Sequence, residues 1–114
     1  MSRDYRLYLD DIRESCEKVL RYTHSLSFDQ FMRDEKTFDA VVRNLAVIGE
    51  AVKHIPPEMR SHYPNMEWRK IAGLRDIVIH EYFGLDVDIL WDVVQNHVPV
   101  LLDYVLQILA QESQ

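Results

Sequence analysis

Hydrophobic residues recur at helical spacing in four long stretches of the chain. In the first stretch, from about residue 4 to 25, they are spaced three and four apart and share one helical face: Tyr5, Tyr8, Leu9, Ile12, Cys16, Val19 and Leu20. Ser27 is a candidate N-cap for a short helical turn. Asp34 is a candidate N-cap for a long helix that runs to about residue 54. The pattern therefore predicts a long helix, a short turn and a second long helix.

The second long helix is apolar nearly all round. One of its faces carries the larger side chains: Phe38, Val41, Val42, Leu45, Ile48 and Val52. The opposite face is small and apolar, with Ala40, Ala46, Val47 and Ala51, and Arg43 and Glu50 stand one heptad apart among them. A helix of this kind is buried on more than one side. We expect it to be the central helix of the domain or to lie at a subunit interface.

Pro56 and Pro57 end this helix, and the segment as far as Pro64 is predicted to be a connection with about one helical turn. Asn65 can cap a third long helix that continues through about Tyr82.

Gly84 fits the end of the third long helix, and Asp86 can cap a fourth. The fourth helix has one apolar stripe, which includes a histidine: Val87, Leu90, Val94, His97, Leu101, Val105 and Ile108. We expect a kink near Pro99, and we expect His97 to be a core histidine. The predicted fold is all-α, an antiparallel bundle of four main helices plus short helical turns, in a single domain over residues 1–114.

Composition narrows the class of protein. The 114 residues are 47% hydrophobic and 28% charged, with three glycines and four prolines, which favours long helices over many short strands. A formal charge of −6 argues against a broad basic surface for non-specific duplex binding. The chain has no run of about 18 apolar residues, so no membrane span is predicted. Its single cysteine, Cys16, cannot form an internal disulfide, which fits a reducing compartment. We expect a cytoplasmic protein without a membrane segment.

Arg75 interrupts the apolar face of the third long helix. That face is otherwise hydrophobic: Trp68, Ile71, Ala72, Val78, Ile79, Tyr82 and Phe83. A buried guanidinium without a partner costs several kcal/mol, and arginine cannot lose its proton to avoid that cost. The face around Arg75 must therefore open onto a wet cleft or meet a carboxylate, for which Glu50 is a candidate.

Asp76 and His80 stand four residues apart on a neighbouring stripe, so the aspartate can fix the tautomer of the imidazole and leave its other nitrogen for proton transfer. Arg75 and His80 are five apart, about 140° on an ideal helix. Either the helix unwinds near His80, or the site lies between two chains related by a two-fold axis. An arginine that binds phosphate oxygens and a histidine that transfers protons can together support RNA cleavage without a metal.

No metal or cofactor motif competes with this interpretation. The five histidines include no pair at i and i+4, and the chain has no HExxH, P-loop, GxGxxG or GxSxG motif. We therefore expect neither a metal nor a cofactor.

The spacing Arg75-x4-His80-x-Tyr82 resembles the Arg-x4-His-x-Tyr signature of the HepT-like toxins, a family of the HEPN superfamily. The resemblance extends over nearly the whole chain. It includes four segments in the expected order: DYRLYLDDI, RNLAVIGEAVKHIP, WRKIAGLRDIVIHEYFGLD and WDVVQNHVPVL.

This resemblance implies an all-α homodimer with Arg75 and His80 of both chains in a composite cleft. It implies a metal-independent endoribonuclease toxin, encoded beside a minimal nucleotidyltransferase (MNT) antitoxin that transfers AMP from ATP to Tyr82. Asp76 occupies a place where many HEPN ribonucleases have Asn, and a second negative charge there weakens RNA binding unless Asp76 pairs with His80 or Arg75. We interpret Arg43 and Glu50 as residues that support the cleft or contact the substrate.

Two other interpretations of the function remain open. The first is a non-catalytic HEPN module that binds nucleotides or a partner and regulates an associated nucleotidyltransferase. The second is a purely structural dimer, in which Arg75 pairs with Glu50, His80 complements a helix C-terminus and Tyr82 is a packing aromatic.

Overall fold

The computed structural model describes residues 4–80 and 87–112, with side chains for residues 4–74 and 87–111. This part of the chain consists of helices and their connections, without strands: α1 (Tyr5–Thr23), α2 (Phe28–Arg33), α3 (Glu35–Lys53), α4 (Pro57–Ser61), α5 (Trp68–His80), α6 (Val87–Asp92), a π-helical segment (Val93–His97) and α7 (Val98–Glu112). The four main helices are α1, α3, α5 and the run from α6 to α7. The predicted all-α bundle is confirmed.

Polar side chains begin the first three helices. Asp4 accepts the backbone N–H of Arg6 at the start of α1. Ser27 Oγ accepts the N–H of Gln30, whose side-chain oxygen accepts the N–H of Ser27 in return, so α2 opens with a capping box. Asp34 accepts the N–H of Thr37 at 3.1 Å and so caps α3. The predicted caps Ser27 and Asp34 are confirmed.

Helix α3 lies between α1 and α5, and α1 also packs against α7. The buried positions of α3 lie on more than one side of the helix: Val41, Val42, Leu45, Ile48, Gly49, Ala51 and Val52. They meet the buried stripe of α1, which contains Leu9, Ile12, Cys16 and Val19. Of the two positions predicted for this helix, the centre of the domain or a subunit interface, the first is confirmed.

Helix α5 begins later than predicted. Asn65 is exposed and lies in the connection, whereas the first residue of α5, Trp68, is buried. The indole N–H of Trp68 donates to the carbonyl of Tyr63 at 3.1 Å, and its backbone N–H donates to the carbonyl of Met66 at 2.9 Å. Anchoring Trp68 in this way holds residues 63–67 in a turn, so the assignment of Asn65 as the cap was wrong. Gly84 and Asp86 lie outside the described residues.

The irregularity predicted near Pro99 takes the form of the π-helical segment Val93–His97. Proline has no backbone N–H to donate to the carbonyl four residues earlier. The N–H of Val98 donates to the carbonyl of Val93, five residues back. Val98, four residues after Val94, takes the buried position, and the side chain of His97 is 61% exposed, while Leu101, Val105 and Ile108 are buried as predicted. The prediction of a core histidine at position 97 was wrong for this reason.

The last main helix is also the most apolar. Within the described residues, Val87–Gln111 is the one helix long and apolar enough to cross a membrane by length and composition, a test that core helices of soluble proteins also pass. Its buried stripe, which includes Leu90, Val94, Leu101 and Val105, belongs to the same hydrophobic core as α1 and α3.

Candidate functional site

Helix α5 carries Arg75, Asp76 and His80, three of the four residues predicted to act in the site or its control, and the fourth is Tyr82. Arg75 and Asp76 lie in its helical backbone, and His80 is its last residue. The side chains of these three residues and the whole of Tyr82 lie outside the described residues. Because the backbone is helical from Trp68 through His80, it is not unwound between Arg75 and His80. Of the two ways to bring the arginine and the histidine to one substrate, a site between two chains agrees better with this helix.

The surface of α5 just before Arg75 is open. A Cβ atom built on Gly73 meets nothing within 4 Å. Leu74 is half-buried, while Ile71 and Ala72 pack against the hydrophobic core. Glycine lowers the stability of a helix by about 1 kcal/mol relative to alanine, and packing against the described part of the chain does not require it here.

Arg43 lines a groove of about 510 Å³ between α1 and α3. Lys18 and Asn44 share this groove with three carboxylates, those of Asp11, Glu14 and Asp39. The lining therefore carries both signs of charge, with more negative than positive groups. Such a groove is poorly suited to a phosphate backbone by itself. Arg43 is exposed and accessible to a partner or a substrate.

Glu50 has different surroundings from Arg43. It lies about two helical turns further along α3, where its Oε1 atom is 3.4 Å from Nε2 of His54. The imidazole of His54 stacks on the ring of Tyr8 from α1, with ring centroids 4.5 Å apart. Glu50 therefore belongs to a half-exposed cluster at the C-terminal end of α3. The predicted contact between Glu50 and Arg75 involves the side chain of Arg75, which lies outside the described residues.

A second groove, of about 440 Å³, lies between α5 and the last main helix. Ile71 and Leu74 line it from α5, and Asn96 and His97 line it from the π-helical segment. We did not predict this groove. The signal in the sequence was the polar triplet Gln95, Asn96 and His97, which ends two residues before Pro99, and the prediction had placed His97 on the apolar stripe.

Two of the residues on α1 have raised pKa values. Burial of the thiol raises the pKa of Cys16 to about 12, so Cys16 is a poor nucleophile. Hydrogen bonds from Arg13 to Asp10 and Glu17 raise the pKa of the guanidinium. Among the residues whose side chains are described, no cluster of three or more His, Cys, Asp or Glu is placed to hold a metal ion.

Comparisons with known proteins agree on one family. The family model described as "Ribonuclease HepT-like" matches residues 12–108. A putative RNase of Methanocaldococcus jannaschii is 45% identical over 97 residues, which are 85% of this chain and 80% of that protein.

Two further relatives match over most of their length. "Probable ribonuclease HepT" of Thermococcus cleftensis is 43% identical over 101 residues, 89% of this chain and 92% of that protein. A putative RNase of Caldanaerobacter subterraneus is 40% identical over 108 residues, 95% of this chain and 96% of that protein. No solved structure matches the chain.

Proposed function

The chain belongs to the ribonuclease HepT-like family, and from this premise we propose that it is a metal-independent endoribonuclease that acts as a homodimer in the cytoplasm. The substrate is RNA, bound in a cleft that both chains form. The family and the names of its relatives support ribonuclease activity. The dimer, the cleft and the absence of a metal are parts of the proposal.

The observation that carries the composite cleft is the continuous helix of α5. Five residues of regular helix separate Arg75 and His80 by about 140° around the axis. A two-fold axis beside α5 places the Arg75 of one protomer near the histidine of the other. The open surface at Gly73, directly before this segment, leaves room for a second chain or a substrate to approach closely.

The proposed reaction is a transfer of the phosphoryl group within the RNA. His80 removes the proton from a ribose 2′-OH, and the 2′ oxygen attacks the adjacent phosphorus. The guanidinium of Arg75 binds the phosphate oxygens and stabilises the negative charge that develops on them. The bond between phosphorus and the 5′ oxygen then breaks, and a water molecule in the cleft donates a proton to that oxygen, while the protonated His80 returns its proton to solvent. The products are a 2′,3′-cyclic phosphate and a 5′-OH end.

Asp76, Arg43 and Glu50 have supporting roles in this proposal. Asp76 accepts a hydrogen bond from His80, four residues further along, and sets its tautomer. Arg43 and Glu50 support the cleft or contact the RNA from α3. Arg43 is the better placed for contact, because it is exposed on a groove.

We further propose that Tyr82 is the site of control. An MNT-type nucleotidyltransferase antitoxin transfers AMP from ATP to the phenolic oxygen of Tyr82 and releases pyrophosphate. The adduct adds a negative charge and bulk seven residues after Arg75 in the sequence, and it repels RNA phosphates. Co-expression with such an antitoxin should increase the intact mass by one adenylyl group per chain. Tyr82→Phe should remove the increase, and an increase that persists in this variant would place the modification elsewhere.

The test of the proposed activity compares two arginines of α5. Arg75→Ala should lower kcat/KM for RNA cleavage at least about 100-fold, because it removes the group that stabilises the phosphorane. Arg69→Ala removes the same charge from an exposed position in the first turn of the helix and should leave cleavage close to wild type. Circular dichroism should show both variants folded. Equal cleavage rates for the two variants would overturn the assignment of Arg75 as the residue that stabilises the phosphate.

His80→Ala should lower cleavage about 100- to 10,000-fold, the usual contribution of general acid and base catalysis. Chelation with EDTA should leave the wild-type rate unchanged, and a rate restored only by added metal would contradict the metal-free mechanism. If the wild-type protein does not cleave RNA but binds ATP or AMP in calorimetry, the chain is instead a non-catalytic module that regulates a nucleotidyltransferase.

A further inference from the structure

The π-helical segment brings the imidazole of His97 to the carboxylate of Asp92, beside the amide of Asn96. Asp92 Oδ1 accepts a hydrogen bond from Asn96 Nδ2 at 2.7 Å. Asp92 Oδ2 also lies 3.3 Å from Nε2 of His97, five residues away. Residues five apart differ by about 140° on an α-helix, whereas π-helical backbone places them on one side. One carboxylate therefore orients both an amide and an imidazole.

The oriented pair faces the groove of about 440 Å³ between α5 and the last main helix. Its walls are largely aliphatic, with Ile71 and Leu74 on one side and Val100 on the other. Val100 is 53% exposed, so the groove opens to solvent. A concave site with apolar walls and a few fixed polar groups is the usual form of a small-ligand site.

The chemistry of the lining fits a neutral, flat and polar-edged group. Asn96 uses one N–H to reach Asp92, and a primary amide has a second N–H and a carbonyl oxygen as well. A donor and an acceptor side by side match the edge of a nucleobase. The exposed ring of His97 offers a face for stacking. The carboxylates of Asp92 and Glu67, in contrast, disfavour a phosphate in this groove.

The groove also lies beside the proposed phosphate-binding residue. Leu74 directly precedes Arg75 in α5, and Ile71 precedes Arg75 by four residues, a rise of about 6 Å along the axis. A base in the groove therefore leaves its own phosphate about one helical turn away, toward Arg75.

We propose that this groove is a nucleobase subsite, in which Asn96 hydrogen-bonds the edge of one base of the RNA and His97 stacks on its face. The proposal rests on the proposed ribonuclease function and extends it to the choice of cleavage position. The subsite selects the base next to the cleaved bond, and Asp92 is a positioning residue for both contacts.

The test measures cleavage of a set of short RNAs that vary one base on each side of the cleaved bond. Asn96→Ala and His97→Ala should each raise KM about tenfold for the preferred RNA, with kcat nearly unchanged. Each should also reduce the preference for one base over the others at one of the two positions beside the cleaved bond. Gln95→Ala is the matched control, because Gln95 is exposed in the same π-helical segment but lines a different groove, beside Leu26 and Pro99.

Three results would overturn the subsite. Unchanged KM and preference in the Asn96 and His97 variants would exclude a base contact. An equal loss in Gln95→Ala would attribute the effect to the helix rather than to the groove. Weaker dimerisation of the Asn96 and His97 variants in sedimentation equilibrium would show that a second copy of the chain covers the groove.

Arg75→Ala in the same series separates the two proposals. If Arg75→Ala is inactive while the Asn96 and His97 variants keep the wild-type base preference, the proposal of a nucleobase subsite is wrong and the proposal of ribonuclease function is supported. If Arg75→Ala cleaves as fast as wild type, the proposed function fails and the subsite fails with it.

Discussion

At the scale of single residues, burial determines the chemistry of Cys16. The thiol lies in the stripe of α1 that packs against the rest of the core, and its exposed fraction is zero. Ionisation would place a thiolate among aliphatic side chains, which raises the pKa of Cys16 from an ordinary value of 9.0 to about 12. The residue is therefore a packing residue rather than a nucleophile, as its place in the apolar stripe predicted.

This raised pKa predicts a loss of stability at alkaline pH. The protonated thiol is favoured in the folded chain, so its contribution is fully present below pH 9 and is lost as pH rises from 9 toward 12. The free energy of unfolding should fall by about 1.4 kcal/mol per pH unit through this one group. Urea denaturation of the wild type and of Cys16→Ala measures it. The alanine variant should start less stable and fall less steeply, and parallel curves would contradict the prediction.

At the scale of the secondary-structure elements, the caps and the π-helical segment decide where the helices begin and which residues they bury. Asp34 caps α3, and hydrogen bonds from the hydroxyl and the backbone N–H of Thr37 lower the pKa of its carboxyl. In the last main helix, the π-helical segment replaces His97 by Val98 in the core.

The cap predicts an acid-sensitive contribution to the stability of α3. Because the pKa of Asp34 is lowered in the folded state, the contribution is present above the ordinary value of 3.8 and is lost as pH falls through the folded value. Asp34→Ala should lower Tm by several degrees at pH 7. Asp34→Asn keeps a capping oxygen, so its Tm at pH 7 should stay close to that of the wild type. Thermal unfolding at pH 7 and pH 3 tests this, and a wild type as acid-sensitive as Asp34→Asn would refute it.

The register of the π-helical segment predicts an unequal cost for two neighbouring substitutions. Val98→Ala removes buried methyl groups and should destabilise the fold by about 2 kcal/mol. His97→Ala removes a mostly exposed side chain and should change stability by less than about 0.5 kcal/mol. Chemical denaturation gives both values. A larger cost at position 97 than at position 98 would contradict the assignment of Val98 to the core and of His97 to the surface.

At the scale of the whole molecule, the proposed activity depends on two chains. A monomer of 13.6 kDa with an acidic net charge has no strongly basic cleft among the residues whose side chains are described. A composite cleft doubles the number of arginines and histidines available to one RNA phosphate, which is the physical reason to expect a dimer.

Complementation between inactive variants tests this arrangement. Arg75→Ala and His80→Ala homodimers should each be inactive, and mixing them under conditions of subunit exchange should restore activity, because each mixed dimer joins an intact Arg75 to the partner's intact His80. We expect up to about half the chains to form mixed dimers by random pairing. Each homodimer kept alone is the control. An inactive mixture that contains mixed dimers by native mass spectrometry would place both residues of a working site on one chain.

The helical fold and the family were readable from the amino-acid sequence because they depend on local patterns. Apolar spacing in α1 and α3, the caps Ser27 and Asp34, and the spacing of Arg75, His80 and Tyr82 all lie within short segments, where helix geometry fixes which residues share a face. The central position of α3 was also predictable, since a helix that is apolar on more than one side needs neighbours on more than one side.

The tertiary structure decided the features that depend on packing between distant segments. Trp68 anchors the start of α5 on Tyr63 and displaces the predicted cap at Asn65. The π-helical segment before Pro99 takes His97 out of the core, and it turns Asn96 and His97 toward α5. A periodic pattern assumes a constant rotation per residue, so it predicts neither a local π-helical turn nor which of the adjacent residues His97 and Val98 is buried there. That geometry is set by how the last main helix fits against its neighbours.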